Sequence, residues 1–432
     1  MIDLNTNRKY LQSYVDLRNK YIVELGTKPV TAESTSQWFA SDMRGSIHCV
    51  VEGDKVVSAV IVHKRGEVTV FSDKRGVGDK LLAEAENMAF EMGLVELWAK
   101  IKDDNAASVK LFLRNGYKQE EGRYKKTIHY DEKYGLREGA KEFPMMVVLS
   151  FVYACNSRCP NCPYNNSEIR KGYKDDLYMP ADLFKKIADE CGPYGSVLRL
   201  SGGGEPFLHK DIAGLTRYAT DKGCKVSIIT NGSIDVSSVL DVADMLEFSV
   251  DAGNAEEYRT ARPGLDWEFL NQNIEGAFRK RKKTKLICSI INQKGIDVEA
   301  AKAHWKYLDA VQIRKYLTWG YNKDNSANDA PYLPPEKRIP CPCLFERISI
   351  DSKGDVTYCP EDIGFKYKFA NIRAMSIKEV WHGDVLKRAR QLHLDRHGDE
   401  VAPCRDCADW QYRTWKFSYW KLRENAGNNI TV

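Results

Sequence analysis

Six short apolar runs, Val147 to Val152, Val197 to Leu200, Lys225 to Thr230, Met245 to Val250, Lys285 to Ile291 and Ala310 to Arg314, alternate with amphipathic stretches such as Ala181 to Glu190 and Lys210 to Lys222. Strand-length runs separated by apolar residues at three- and four-residue spacing predict strand–helix alternation. Strands joined through helices run parallel. The segment is therefore expected to be α/β, a partial (βα)6 barrel with helices outside and its site at the C-terminal strand ends.

Chemistry-bearing residues fall at those ends. The first run leads into Ala154-Cys155-Asn156-Ser157-Arg158-Cys159-Pro160-Asn161-Cys162-Pro163, a C-x-x-x-C-x-x-C spacing. Three thiolates can hold three irons of a cubic iron–sulfur cluster, leaving the fourth iron open to a small molecule. A structural zinc knuckle would want a fourth Cys or His nearby, and none lies between Cys162 and Cys191. The second run leads into Ser201-Gly202-Gly203-Gly204-Glu205-Pro206. Glycines allow positive φ and let the backbone approach a ligand closely. Thr230-Asn231-Gly232 and Ser249-Val250-Asp251 end the third and fourth runs.

In this order the motifs resemble the radical S-adenosylmethionine (radical SAM) superfamily. The resemblance implies that Cys155, Cys159 and Cys162 hold a [4Fe-4S] cluster whose open iron is chelated by SAM. It assigns Gly203, Gly204, Glu205 and Pro206 to the GGEP motif that holds the methionyl amine, and Asn231 and Ser249 to further SAM contacts. The implied chemistry is one-electron cleavage of SAM to a 5′-deoxyadenosyl radical, with an electron donor such as flavodoxin or ferredoxin as partner. The chain departs from the family at Asn161, where an aromatic residue commonly touches the adenine; Tyr164, Pro160 and Pro163 are its neighbours.

A second cysteine group lies downstream. Cys341 and Cys359 flank Ile348 to Tyr358, which reads as a hairpin turning at Lys353-Gly354, and Cys404-Arg405-Asp406-Cys407 closes the group. Phe369 to Ile372 and Ser376 to Trp381 resemble the connecting strand and helix of the SPASM/twitch extension. That resemblance implies an auxiliary [4Fe-4S] cluster on Cys341, Cys359, Cys404 and Cys407, with no open iron and a role in electron transfer. Such spacing also builds zinc ribbons. Cys341-Pro342-Cys343 offers two first ligands, and the offset to Cys359 favours Cys341. Cys343, with Cys288, is then a candidate hydrogen-atom donor or a small buried apolar side chain.

Residues 1–130 form a different unit, followed by a charged linker at 131–142, the barrel at 143–330 and the cluster domain with a C-terminal helix at 331–432. Helical stretches, Lys9 to Ile22 and Ala32 to Ser41, precede strands Ser46 to Glu52, Lys55 to His63 and Glu67 to Phe71. Asp73 to Leu82 is a glycine turn opening a helix, a geometry that aims free N–H groups at an anion such as a pyrophosphate. A strand, Val95 to Lys100, and the stretch Asn105 to Tyr117 follow. The unit resembles the GNAT acyl-CoA N-acyltransferases, which implies acetyl-CoA as a cofactor, with Arg75, Gly76, Gly78 and Asn105 as contacts. Asp73 stands where the family has Arg or Gln, and Phe112 where many members have a tyrosine that protonates the leaving thiolate.

At 432 residues the chain has room for two or three cores. No apolar run approaches the roughly 20 residues of a membrane span, and a cytoplasmic protein is expected. Twelve cysteines then argue for metal ligands over disulfides, with Cys49, Cys191 and Cys224 outside both groups. The net charge of +5 is slight, and its densest run, Arg279 to Lys285, ends a helix. That favours a solvated helix terminus over a nucleic-acid site. The expected function is hydrogen abstraction from an amine-bearing small molecule: an amino sugar, amino acid or modified nucleoside. The alternatives are an acyl-CoA N-acyltransferase with a metal-bound C-terminal module, and a nucleic-acid-modifying fusion of radical SAM and acetyltransferase domains.

Overall fold

The computed structural model describes residues 1–40, 45–92, 94, 96–128, 142–165, 167–315, 339–405, 407 and 409–412. The chain divides into two compact units, residues 1–133 and, in the main, 134–413. The expected linker lies outside the described residues except for Glu142, as does the expected C-terminal helix beyond Tyr412.

In the first unit β1 (Ile2–Asp3), β2 (Ser46–Glu52), β3 (Lys55–Val62) and β4 (Val68–Ser72) form an antiparallel sheet. β5 (Glu96–Ala99), β6 (Lys118–Glu120) and β7 (Arg123–Thr127) form another, in the order β5-β7-β6. Alternation along the strands puts Ile47, Cys49, Ala59, Ile61 and Phe71 into one apolar cluster with Tyr14, Val15 and Leu17 of the helix Leu11–Lys20. The helix expected over Lys9 to Ile22 is interrupted at Tyr21, and a short second helix, Ile22–Leu25, is closed by Gly26 at φ 61°.

In the second unit all six expected strands form: β8 (Met146–Val152), β9 (Val197–Gly203), β10 (Lys225–Thr230), β11 (Met245–Ser249), β12 (Lys285–Asn292) and β13 (Ala310–Lys315). Each is parallel to the next. β8 is buried at every position, as a strand covered on both faces must be. Leu198, Leu200, Val226, Ile228, Leu246, Phe248, Leu286 and Ile290 share one apolar layer with Leu183, Phe184 and Ile187 of the helix Ala181–Cys191. At about 1.5–3 kcal/mol per buried aliphatic side chain, this layer is the main force closing helices onto the sheet. The intervening residues, among them Arg199, Ser227, Glu247, Ser289 and Arg314, turn to the opposite face, the barrel lumen. The β10–β11 crossover carries the 3-10 turn Ser237–Val239 in place of a helix.

β14 (Arg347–Ile350) pairs in parallel with β8, and β15 (Asp355–Thr357) and β16 (Ala370–Asn371) extend the same sheet outward. The hairpin turns at Lys353-Gly354: Gly354 has φ 88°, and Asp351 Oδ1 accepts from the Lys353 and Asp355 amides at 2.9 and 2.8 Å. The barrel sheet thus continues through residues beyond the expected division at 330. Ser376 and Glu379 form a capping box that starts the helix Ile377–Trp381.

Candidate functional site

β8 delivers the cysteine loop, and β9 the glycine run, to one edge of the sheet, with Val152 opposite Gly203. The Glu205 amide donates to Ala154 O at 2.8 Å. Only glycine permits this approach. A Cβ at Gly204 would lie 2.1 Å from Ala154 O, and one at Gly203, where φ is 79°, would lie 2.8 Å from Val152 O. The loop is also tied to the end of β10: Asn156 Nδ2 donates to Ser233 Oγ at 2.7 Å, and Asn156 Oδ1 accepts from Asn231 Nδ2 at 2.9 Å.

Cys159 is buried, and Cys155 and Cys162 are half-buried. Burial, reinforced by the neighbouring cysteines, pushes the Cys162 thiol up to about 11 and raises Cys155 as well. Such thiols become thiolates when a bound cation supplies the charge their surroundings lack, so metal binding here releases protons. One protein cation is already present. Arg262 Nη1 donates to Cys159 Sγ at 3.5 Å, while Nη2 donates to Asp251 Oδ2 at 2.5 Å and Nε is buried without a partner. Asp251, at φ 55°, also accepts from the Ile291 amide at 2.7 Å. Sequence reasoning missed Arg262, which belongs to no local motif; the one signal was an arginine just past the short helix that follows the Ser249-Val250-Asp251 strand end.

The remaining motif residues serve different ends. The buried Glu205 carboxylate accepts from Thr230 Oγ1 at 2.7 Å, the Asn231 amide at 2.7 Å and the Phe207 amide at 3.1 Å. Its side chain therefore holds the β10 end in place. Pro206, also buried, begins the 3-10 turn Pro206–Leu208. Ser249 is half-buried at the end of β11, on the lumen face. Asn161 Nδ2 donates to Gln293 Oε1 at 3.3 Å. Tyr164 is buried in an apolar cluster that includes Tyr153, Tyr173, Cys155 and Cys162. Cys288 lies in the outer apolar layer of β12, the face opposite Ser289, which takes its thiol away from the lumen and from a hydrogen-donor role. Cys191 and Cys224 lie in that same layer, and Cys49 in the core of the first unit.

The downstream thiols gather in the C-terminal part of the unit. Cys341 is held up by a hydrogen bond with Cys343, by burial, and by Cys404 and Cys359; Cys359 is held up by burial, Cys343, Cys404 and Cys407. Cys343 is buried inside this group. The Cys407 amide donates to Cys404 O at 3.3 Å, and the Cys341 amide to His393 Nδ1 at 3.2 Å. Ile363 and Phe365, just past Cys359, pack with Tyr153, Tyr164 and Tyr173 around Cys155 and Cys162. An aromatic layer thus joins the two cysteine regions. Among the described residues no three Cys, His, Asp or Glu side chains close around a single-ion position. All twelve cysteines are free of disulfides.

In the first unit β4 and β5 touch at one bridge, Glu67 opposite Trp98, with the Trp98 amide donating to Gly66 O at 2.9 Å, and then belong to separate sheets. The turn after β4 carries Arg75 exposed and Gly76 at φ 78°, and leads into the helix Gly78–Met92. A Cβ at Gly78 would lie 2.8 Å from the Leu111 side chain, so this glycine admits close helix packing. Asp73 is turned aside: Lys20 Nζ donates to it at 2.6 Å and Tyr21 OH at 2.9 Å. Asn105 caps the helix Ala106–Arg114, accepting from the Ser108 amide at 3.1 Å. Phe112 is buried with its ring centroid 4.8 Å from that of Tyr117. A cavity of about 430 Å³ beside the turn is lined by Cys49, Val51, Lys74, Val77 and Lys80 among others.

No helix among the described residues is long and apolar enough to cross a membrane. Residues 149–302 match the radical SAM superfamily, 341–408 an iron–sulfur cluster-binding domain (SPASM) and 12–117 the acetyltransferase (GNAT) family. The chain is similar to an AdoMet-dependent heme synthase of Methanosarcina barkeri, 26% identical over 125 residues, covering 28% of this chain and 34% of that protein. It is similar to a PqqA peptide cyclase of Rhodopseudomonas palustris, 31% identical over 112 residues, covering 26% of this chain and 27% of the relative. A Bacillus subtilis protein named as a phosphinothricin acetyltransferase is 29% identical over 126 residues, 25% of this chain and 77% of its own. The chain thus carries a radical SAM domain at 149–302, with a SPASM iron–sulfur domain after it and a GNAT domain before it.

Proposed function

We propose that this enzyme abstracts a hydrogen atom from an unactivated carbon of an amine-bearing small molecule, an amino sugar, amino acid or modified nucleoside, leading to its oxidation, rearrangement or epimerisation. The observation that carries the reading is the meeting of the cysteine loop and the glycine run through the Glu205–Ala154 hydrogen bond. The donor set fits a cluster and SAM: three neighbouring thiols outside any disulfide, a glycine cradle that a Cβ would fill, and the orphaned Arg262 Nε. In this reading Cys155, Cys159 and Cys162 hold the cluster, the main chain from Gly203 to Glu205 takes the methionyl amine, and Arg262 faces the carboxylate. Ser249 and Asn231 contact SAM from the neighbouring strand ends. When bound and reduced, the cluster and SAM supply a 5′-deoxyadenosyl radical.

Cys359, Cys404 and Cys407 with Cys341 or Cys343 hold a second [4Fe-4S] cluster, fully ligated and suited to electron transfer. The burial of Cys343 among these thiols favours an alternative-ligand role over hydrogen donation. An electron donor of the flavodoxin or ferredoxin kind is the expected partner, and the cytoplasm the expected compartment. The amine-bearing class rests on the acetyltransferase domain in the same chain. That domain holds acyl-CoA at the turn through Arg75, Gly76 and Gly78, without a proton donor at position 112.

Iron and sulfide analysis of the anaerobically purified chain, followed by dithionite, SAM and a panel of amines, tests the reading. The expected result is about eight irons per chain with matching sulfide, and 5′-deoxyadenosine release stimulated by an amine. The C155A/C159A/C162A variant should lose about four irons and all SAM cleavage. Stoichiometric zinc without sulfide overturns the proposal.

A further inference from the structure

The barrel lumen carries a charged layer that the cofactor sites do not use. β9, β11 and β13 are the second, fourth and sixth barrel strands, and they contribute Arg199, Glu247 and Arg314. Alternate strands supply one layer of a closed barrel, and bulky aliphatic residues ordinarily fill it. Here Arg199 Nη2 donates to Glu247 Oε2 at 2.5 Å, and Arg314 Nη2 bonds Glu247 Oε1. Arg199 Nη1 reaches Ser227 Oγ at 3.3 Å, while Arg314 reaches Ser289 Oγ through Nε at 2.7 Å and Gln312 Oε1 through Nη2 at 3.1 Å.

Two guanidiniums share one carboxylate, leaving one positive charge in the layer. The carboxylate side chain is 2% exposed, against 16% for Arg199 and 39% for Arg314, so both cations are more open than the carboxylate between them. Arg199 Nε and Arg314 Nη1 donate to no partner among the described residues. Two steps further along the strands stand Ser201 and Ser249, at the mouth where the cysteine loop lies. Arg347, paired with Glu346 Oε2 at 2.8 Å, adds no uncompensated charge. Buried ion groups are poor stabilisers compared with a packed aliphatic layer. A layer with guanidinium donors to spare is better explained by what it receives.

We propose that Arg314 and Arg199 seat an anionic group of the substrate, a carboxylate or a phosphate. This rests on the reading of the barrel as the substrate site, and it narrows the amine-bearing class to molecules that also carry such an anion. Guanidinium forks match the planar oxygen pairs of both anions. Glu247 keeps the two forks parted and limits the charge that an empty lumen must hold.

The test titrates the full-length, cluster-loaded chain with inorganic phosphate and, separately, with acetate, at constant ionic strength set by chloride. Calorimetry and thermal shift are the readouts, and the preferred arm identifies the source of the anion. Saturable binding of one anion is expected, weakened at least about tenfold in Arg314→Gln and unchanged in Lys285→Gln, an exposed position at the start of β12. Glu247→Gln removes the competing carboxylate, so its affinity should rise, an effect that misfolding does not mimic. Equal binding by wild type and Arg314→Gln, weaker binding in Glu247→Gln, or an unsaturable response shared with chloride overturns the seat. SAM cleavage without substrate is followed in parallel. Anion binding lost in Arg314→Gln while even the wild type fails to cleave SAM supports the seat and defeats the radical reading. Intact cleavage with unaltered anion binding in Arg314→Gln defeats the seat alone.

Discussion

At the mouth of the barrel, groups that follow four of the strands close on one another: Ala154 meets Glu205, Asn156 meets Asn231 and Ser233, and Cys159 meets Arg262. In the first unit the residues of equivalent standing turn apart. Asp73 is bound by Lys20 and Tyr21, Asn105 by its own helix, and Phe112 is packed against Tyr117. The contrast teaches that a motif is a site only where some of its groups remain unsatisfied. Arg262 Nε, buried without a partner beside the cysteine loop, meets that condition; the Asp73 and Asn105 side chains do not.

Gly204→Ala should break the contrast most severely. Its Cβ would meet backbone, which cannot rotate away, so a loss of roughly 3–4 kcal/mol in stability is expected, together with failed cluster assembly. Thermal melts and iron content check it, and a variant with full iron would show that the close approach is dispensable. The next effect lies below the mouth. Burial alone would raise the Glu247 carboxyl, but Arg314 and Arg199 outweigh it and hold it at about 2, against an ordinary 4.5. A depressed carboxyl contributes stability present above the unfolded value and lost as pH falls through the folded one. Glu247→Gln should therefore cost about 3 kcal/mol above pH 4.5, with the difference from wild type closing as pH falls towards 2. Urea melts across that window measure it, and a pH-independent gap would remove the ion layer from the account.

Glu205→Gln keeps the shape but turns an amide donor towards one of the groups the carboxylate accepts from, at a cost of about 2 kcal/mol. If SAM binds this variant normally once folded, the side chain's role is confined to the scaffold, as the geometry implies. The smallest effect belongs to the first unit. Asp73→Asn should change stability by less than about 0.5 kcal/mol, because the Lys20 pair is exposed, while relieving an anion beside the turn. A rise of about threefold in acetyl-CoA affinity, read by calorimetry on the full chain, would mark the turn as a live cofactor site. No change would leave it a fold without a ligand.

Much of the second unit was legible because its signals are local. Apolar runs announce buried parallel strands, and Gly354 with Asp351 announces the hairpin. Less legible was that β14 would pair with β8, since strand pairing between residues some two hundred apart leaves no mark in either segment. The same reason hides Arg262, and it explains why Cys288 stood open between a hydrogen-atom donor and a buried apolar side chain, since one step along β12 decides which face it takes.

The sequence by itself determined the order of domains, the strand–helix alternation and the thiols available, because each is written in residue type and short spacing. Only the tertiary structure decided which of those groups face one another. Glu205 was drawn inward, Cys343 joined the auxiliary thiols, and Arg199, Glu247 and Arg314 met across the lumen. Burial and partner geometry are properties of the assembled sheet, and no single segment contains them.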